Sequence, residues 1–205
     1  MATAIQTVEV IHVSLPTRRE HKWTGLTEPI GGYILVKMTG SNRIVGWGEA
    51  PALKDWGGED YLDLMAAVDL VSERPYVDSD RLGIHGYSYG GFMTSWAVGH
   101  DDRFRAAVVG APCTDLYSMY GTSDIGISFG EVQWGGSLFD AADELIKHSP
   151  ITYAKDVSTP VLLLHGEADN RCPISQSEEY FTVLKRLGKE VEFVRFPDCS
   201  HLFLR

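Results

Sequence analysis

The spacing of apolar positions changes near residue 59. Before it, Ile5 to Leu15, Gly32 to Met38 and Ile44 to Ala50 are Val- and Ile-rich runs divided by Gly, Pro, Ser and Asn, with no helical period. Such runs predict three strands joined as an antiparallel meander. From Glu59 onward, Tyr61, Leu64, Met65, Val68 and Val71 recur at helical spacing, with Glu59, Asp60 and Asp63 in the first turn, where the helix dipole favours acids. Four short apolar runs follow: Arg81 to His85, Arg105 to Gly110, VLLLHG after Pro160, and VEFVRF. Helical segments lie between them, among them FMTSWAV and a helix opened by Pro173, carrying Tyr180, Leu184 and Leu187 on one face and ended by Gly188. Short apolar strands alternating with helices predict a parallel sheet with helices on both faces. The seam between the two patterns is read between Ala50 and Gly58, giving a β-rich segment over 1–54 and an α/β domain over 55–205.

Length and composition narrow the class without choosing within it. The 205 residues, 44% of them hydrophobic, suit a globular chain and are too few for a TIM barrel of about 250. No apolar run approaches the roughly 18 residues of a membrane span, and the first residues show no basic stretch leading into an apolar core. A net charge of −10 repels phosphate backbones and anionic lipid, so neither nucleic acid nor membrane is expected as a partner. The three cysteines, Cys113, Cys172 and Cys199, form no CxxC pair, which argues against a structural zinc and suits a reducing, cytoplasmic setting. No metal or other cofactor is expected.

The sharpest chemical motif is Gly86-Tyr87-Ser88-Tyr89-Gly90-Gly91, set between the strand RLGIH and the helix FMTSWAV. GxSxG occurs by chance, but between strand and helix it forms a tight turn that exposes a serine hydroxyl. Gly86 and Gly90 are expected to leave room for neighbouring backbone, and the helix start offers the Tyr89 amide to a developing oxyanion. Such a serine needs a base, and the base an orienting acid, in the order Ser, acid, His on loops beyond later strands. Asp169, just past VLLLHG, and His201, just past VEFVRF, occupy those places. Glu167 shares the loop of Asp169 and Asp198 that of His201, so position alone leaves either open as the orienting acid; Asn170 would stabilise an imidazolium less well. His85 and His165, at strand ends, are expected to be buried structural histidines, His148 to be solvated, and Asp115 to cap a turn. The Trp and Tyr residues between Leu116 and Trp134 read as loop packing or pocket lining.

These residues carry a family likeness. WGGEDYLDLMAAVD, VDSDRLGIHGYSYGGFMTSWAVGH, SPITYA, PVLLLHGEADNRCPISQSEEYF and SHLF together resemble the catalytic domain of the prolyl oligopeptidase family, nearest its acylaminoacyl-peptidase and dipeptidyl-peptidase-like members. The resemblance implies a partial α/β-hydrolase fold and a serine peptidase acting on peptides or small esters, with Ser88 as nucleophile, Asp169 as orienting acid and His201 as base. It also implies Arg171 as the arginine that holds a substrate carbonyl, and it supports Tyr89 as an oxyanion donor. Such domains carry further strands and a second oxyanion donor ahead of this point, and no HGG-type segment precedes residue 55. The expectation is therefore weak esterase activity, or an interaction module without turnover. Residues 5–53 resemble instead the opening of the enolase-superfamily capping domain, of the mandelate racemase and muconate cycloisomerase branch. The strand Arg81 to His85 would then stand at a sheet edge, covered by the meander or by a second copy in a homo-oligomer.

Overall fold

The structure, a computed structural model, describes residues 5–14, 32–40, 45–50, 59–134 and 136–203. The seam read between Ala50 and Gly58 lies almost wholly outside them. The chain divides into two compact units, Met1–Ser79 and Asp80–Arg205. In the first, β1 (Ile5–Ser14), β2 (Gly32–Gly40) and β3 (Val45–Ala50) pair antiparallel in chain order, as the predicted meander requires. Helix α1 (Glu59–Ser72) falls in this unit, whereas the sequence pattern puts the boundary ahead of it. Its apolar period does not secure burial: Met65 is buried, but Leu62, Leu64, Leu70 and Val71 are exposed.

The second unit is built on β4 (Leu82–Tyr87), β5 (Phe104–Gly110), β6 (Val161–Gly166) and β7 (Val191–Phe196), all parallel and in chain order. Because every strand runs the same way, all four C-terminal ends share one edge, where loops can pool their side chains. Ile84, Ala107, Val161 and Val191 lie in register on one face, as do Val109 and Leu163. That face packs with Val98 of α2 (Tyr89–Val98), Tyr180 and Leu184 of α6 (Ser175–Arg186), and Ala154 and Val157 in and beside the 3₁₀ turn Pro150–Asp156. On the opposite face His85 and Glu192 are exposed and Val108 and Leu162 half-buried. Helices α2 and α6 thus both pack on the first of these faces. The outer strands already alternate, with Gly83 and His85 in β4 and Glu192 in β7, as one-sided strands do. His85 is therefore exposed rather than buried.

Between β5 and β6 the chain forms α3 (Leu116–Thr122), α4 (Gly126–Trp134) and α5 (Ala142–Lys147). Glycines at 121, 126 and 130 blur the helical period there, which is why the sequence reads as loop. Asp115 is the expected cap: its carboxylate accepts from the Tyr117 and Ser118 amides at 3.0 and 3.1 Å. His148 is not solvated; it ends α5 half-buried, its Nδ1 donating to Glu144 O at 2.8 Å, with its ring stacked 6.1 Å from Trp96.

Two outcomes follow from the packing. Tyr180 is fully buried and its hydroxyl has no hydrogen-bond partner. Tyr180→Phe removes that unsatisfied group and is expected to stabilise the protein by about 1 kcal/mol in urea unfolding; a loss of stability would contradict the packing. Among the described residues β4 is an outer strand, and open strand edges recruit other strands. Slow amide exchange along Leu82–Tyr87 is expected in hydrogen–deuterium exchange, and fast exchange in a monomer at sedimentation equilibrium would refute it.

Candidate active site

The turn joining β4 to α2 holds Ser88 in a conformation that L-residues rarely adopt, φ 59° and ψ −118°. Its amide donates to Gly110 O at 2.8 Å, and its carbonyl accepts from Phe92 N at 2.9 Å, so the strain is held from both sides. A Cβ on Gly86 would strike the backbone of Gly90, and one on Gly91 would strike Gly110 O. Gly90 itself has open space where a Cβ would stand, so the second obligatory small residue is Gly91 rather than Gly90. α2 is buried from Gly91 to Val98, which fixes the turn to the core.

Asp169 and His201 come from the loops after β6 and β7. These loops are tied together by backbone: Glu167 N donates to Phe196 O and Ala168 N to Cys199 O, each at 2.9 Å. A side chain on Gly166 would collide with Cys199 O. Asp169 is buried, its Oδ1 accepting from Arg171 N at 2.9 Å and Cys172 N at 3.0 Å. Its Oδ2 lies 2.7 Å from His201 Nδ1, and His201 Nε2 lies 2.9 Å from Ser88 Oγ. A carboxylate only accepts, so Nδ1 carries the proton and Nε2 is left to accept from the serine hydroxyl. The His201 ring packs against Tyr87 at 5.1 Å, and Phe203, at φ 53°, packs against Tyr87 at 5.5 Å. Burial pushes the Asp169 carboxyl up. Hydrogen bonds from His165 and His201, the His201 charge and the Arg171 amide outweigh burial and hold the carboxyl well below the usual range. The Tyr87 phenol is pushed up to about 12, by burial first and then by Asp169 and Cys172.

The structure brings Ser88, His201 and Asp169 into one hydrogen-bonded chain. The competing acids are elsewhere: Glu167 accepts from Arg195 at 2.8 Å, and Asp198 is exposed at a left-handed turn position, φ 60°. Tyr89 opens α2 directly after Ser88. Arg171 stands two residues from the acid, its guanidinium engaged by Asp124 at 2.8 Å. Asp124 precedes α4, in the segment that the sequence reads as loop. Cys113 and Cys172 are buried free thiols with Sγ atoms 3.2 Å apart, a pairing that their separation in sequence conceals. The Cys113 thiol is raised by its hydrogen bond to Cys172 and by burial. Among the described residues no cluster of His, Cys, Asp and Glu could hold a metal ion, and no helix is long and apolar enough to cross a membrane.

The low Asp169 value has a pH consequence. A carboxyl depressed by folding stabilises the protein above its ordinary value of 3.8, and that contribution disappears as the pH falls toward the folded-state value. Asp169→Asn is therefore expected to be less stable than the parent at neutral pH, with the gap narrowing below pH 3.8 in acid-unfolding curves. A gap independent of pH would contradict the assignment of the charge.

A model of the prolyl oligopeptidase family, peptidase S9, matches residues 32–205. The match begins upstream of residue 55, so β2 and β3 fall inside it, although the sequence reading gives 1–54 wholly to an enolase-like segment. An uncharacterized peptidase of Bacillus subtilis, YuxL, is 49% identical over 148 residues, covering 72% of this chain and 22% of its own. Dipeptidyl-peptidase 5 of Porphyromonas gingivalis is 35% identical over 156 residues, covering 74% of this chain and 23% of its own. Among solved structures, uncomplexed acylaminoacyl peptidase of Pyrococcus horikoshii superposes with a TM-score of 0.77 at 26% identity, over 96% of this chain and 38% of that one. The chain thus spans less than a quarter of the length of these curated relatives.

Proposed function

The chain belongs to the prolyl oligopeptidase family of serine peptidases, and from that premise we propose that it cleaves peptide bonds through Ser88, His201 and Asp169. The observation that carries this reading is the unbroken chain from Ser88 Oγ through both nitrogens of His201 to Asp169 Oδ2, at 2.9 and 2.7 Å. As Ser88 Oγ attacks the scissile carbonyl carbon, its proton passes to His201 Nε2. The resulting imidazolium is stabilised by Asp169, which four hydrogen-bond donors keep in place and, against the effect of burial, ionised. The Tyr89 amide faces the oxyanion, as the amide following the nucleophile does in this kind of turn. His201 then returns the proton to the leaving amine, so the C–N bond breaks as the acyl-Ser88 ester forms. Water, deprotonated by the same imidazole, then attacks the ester carbonyl, and the proton passes to Ser88 Oγ as the acyl–oxygen bond breaks.

Arg171 is assigned to a substrate carbonyl. Its guanidinium is oriented by Asp124 and half-exposed, so donors remain for a second acceptor. Small esters have lower intrinsic barriers than peptides and are expected to turn over by the same route.

The reading is tested with a fluorophosphonate probe, which reacts with activated serines. Labelling of the parent chain and its loss in Ser88→Ala is the expected result. Labelling that is absent from the parent or equal in the two proteins would overturn the nucleophile assignment. A comparison of kcat/KM for p-nitrophenyl esters and peptide anilides then ranks the two substrate classes.

A further inference from the structure

His165, at the end of β6, is fully buried and makes no contact with the reacting serine, yet both of its ring nitrogens are committed. Nε2 faces two groups that only accept: the Cys172 carbonyl at 2.7 Å and Asp169 Oδ2 at 3.3 Å. Nε2 must therefore carry a proton, shared between a strong bond to the carbonyl and a longer contact with the carboxylate. Nδ1 lies 2.7 Å from the hydroxyl of Ser177, a fully buried residue of α6, and accepts its hydrogen. The ring is thus fixed on one side by helix α6 and on the other spans the turn that starts at Asp169 and ends at Cys172.

We propose that His165 is a positioning residue for Asp169, a role that rests on the Ser88–His201–Asp169 reading. The carboxylate has two places to face. Its own turn holds Oδ1 through the Arg171 and Cys172 amides, which leaves the group free to pivot about that anchor. Oδ2 is fixed by His201 from the solvent side and by His165 from within. By gripping both the Cys172 carbonyl and Oδ2, His165 sets the turn and the free oxygen together, and so the direction in which His201 is held toward Ser88. The other titratable groups around this carboxylate are Tyr87, Cys113, Cys172 and Arg171, and none of them donates a side-chain hydrogen bond to Oδ2. The hydrogen bond from His165 is also among the factors that keep the Asp169 carboxyl low.

The test compares His165→Gln, whose side-chain amide keeps an N–H near the place of Nε2, with His165→Leu, which keeps bulk but no donor. Expected for His165→Leu are a fall in kcat of about tenfold to a hundredfold with KM within about twofold, and displacement or loss of the downfield proton resonance of His201 Nδ1. His165→Gln is expected to restore both to near the parent values. Parent kcat and an unmoved resonance in a folded His165→Leu protein would overturn the proposal, as would a His165→Gln variant no better than His165→Leu. If His165→Leu does not fold, Ser177→Ala releases the ring from α6 and should shift the same resonance in the same direction; no shift there is equally contrary. The resonance is read without substrate, so absence of Ser88-dependent fluorophosphonate labelling refutes the triad reading separately from the positioning role.

Discussion

An ionised carboxylate with no solvent exposure constrains the second unit more than any other group. Asp169 is in that position, and an uncompensated buried charge would cost several kcal/mol. Each oxygen must therefore be supplied with donors, and the surroundings are organised around that need. The turn Asp169–Cys172 folds back to give Oδ1 two amides. His201 is drawn inward from the loop after β7, and His165 is kept in the core although it is polar. His165 in turn needs the Ser177 hydroxyl, which fixes the start of α6 relative to β6. The same helix start carries Gln176, whose buried side chain accepts from the Thr114 and Asp115 amides and so reaches the loop after β5. One charge thus propagates order through three of the four strand-end loops.

Backbone strain is stored along the same edge. Among the described residues, the non-glycine positions with positive φ are Ser88, Ala111, Asp198 and Phe203, and all four lie in loops after β4, β5 or β7. Each such residue costs on the order of 1–3 kcal/mol and persists only where packing overrules it. The buried length of α2, the bond from Ser88 N to Gly110 O and that from Ala111 N to Leu164 O supply that packing for the first two. Rigidity here suits the proposed chemistry, because a serine and an imidazole held at 2.9 Å would need little rearrangement before reaction.

Much of this was legible in the residues. The strand–turn–helix setting of GYSYGG located Ser88, and chain order located Asp169 and His201, since a parallel sheet leaves few places for partners. Asp169 and Glu167 are both acids in one loop, and only burial and the turn amides separate them. His165 was legible as a buried histidine but not as a partner of the acid; its only sequence signal is a spacing of four residues, which on a strand-to-loop segment implies no shared face. Asp124, and the pairing of Cys113 with Cys172, depend on segments far apart in the chain and on helices whose glycines hide their period. The motif sets Gly86 and Gly90 symmetrically about the serine, whereas the close approach of β5 falls on Gly91.

The strand order explains why a glycine outside the Ser88–His201–Asp169 chain is needed. Among the described residues β4 and β7 are the two outer strands of this sheet, separated by three inter-strand spacings, or about 14 Å. Ser88 leaves the sheet at one side and the chain that carries His201 at the other, so the histidine's loop must run back across the strand ends to close the gap. It has five residues beyond Phe196 in which to do so, with a reach of roughly 17 Å when fully extended. The turn at Asp198 consumes some of that length, so the path has to be nearly direct and low over the end of β6. There Gly166 presents no Cβ to the Cys199 and Ser200 carbonyls, and the Ala168 amide bonds the passing backbone. With a side chain at 166 the loop would have to rise, and His201 would lose either Asp169 below it or Ser88 beyond it. The meeting of serine, imidazole and carboxylate therefore depends as much on this bare crossing as on the three side chains that meet.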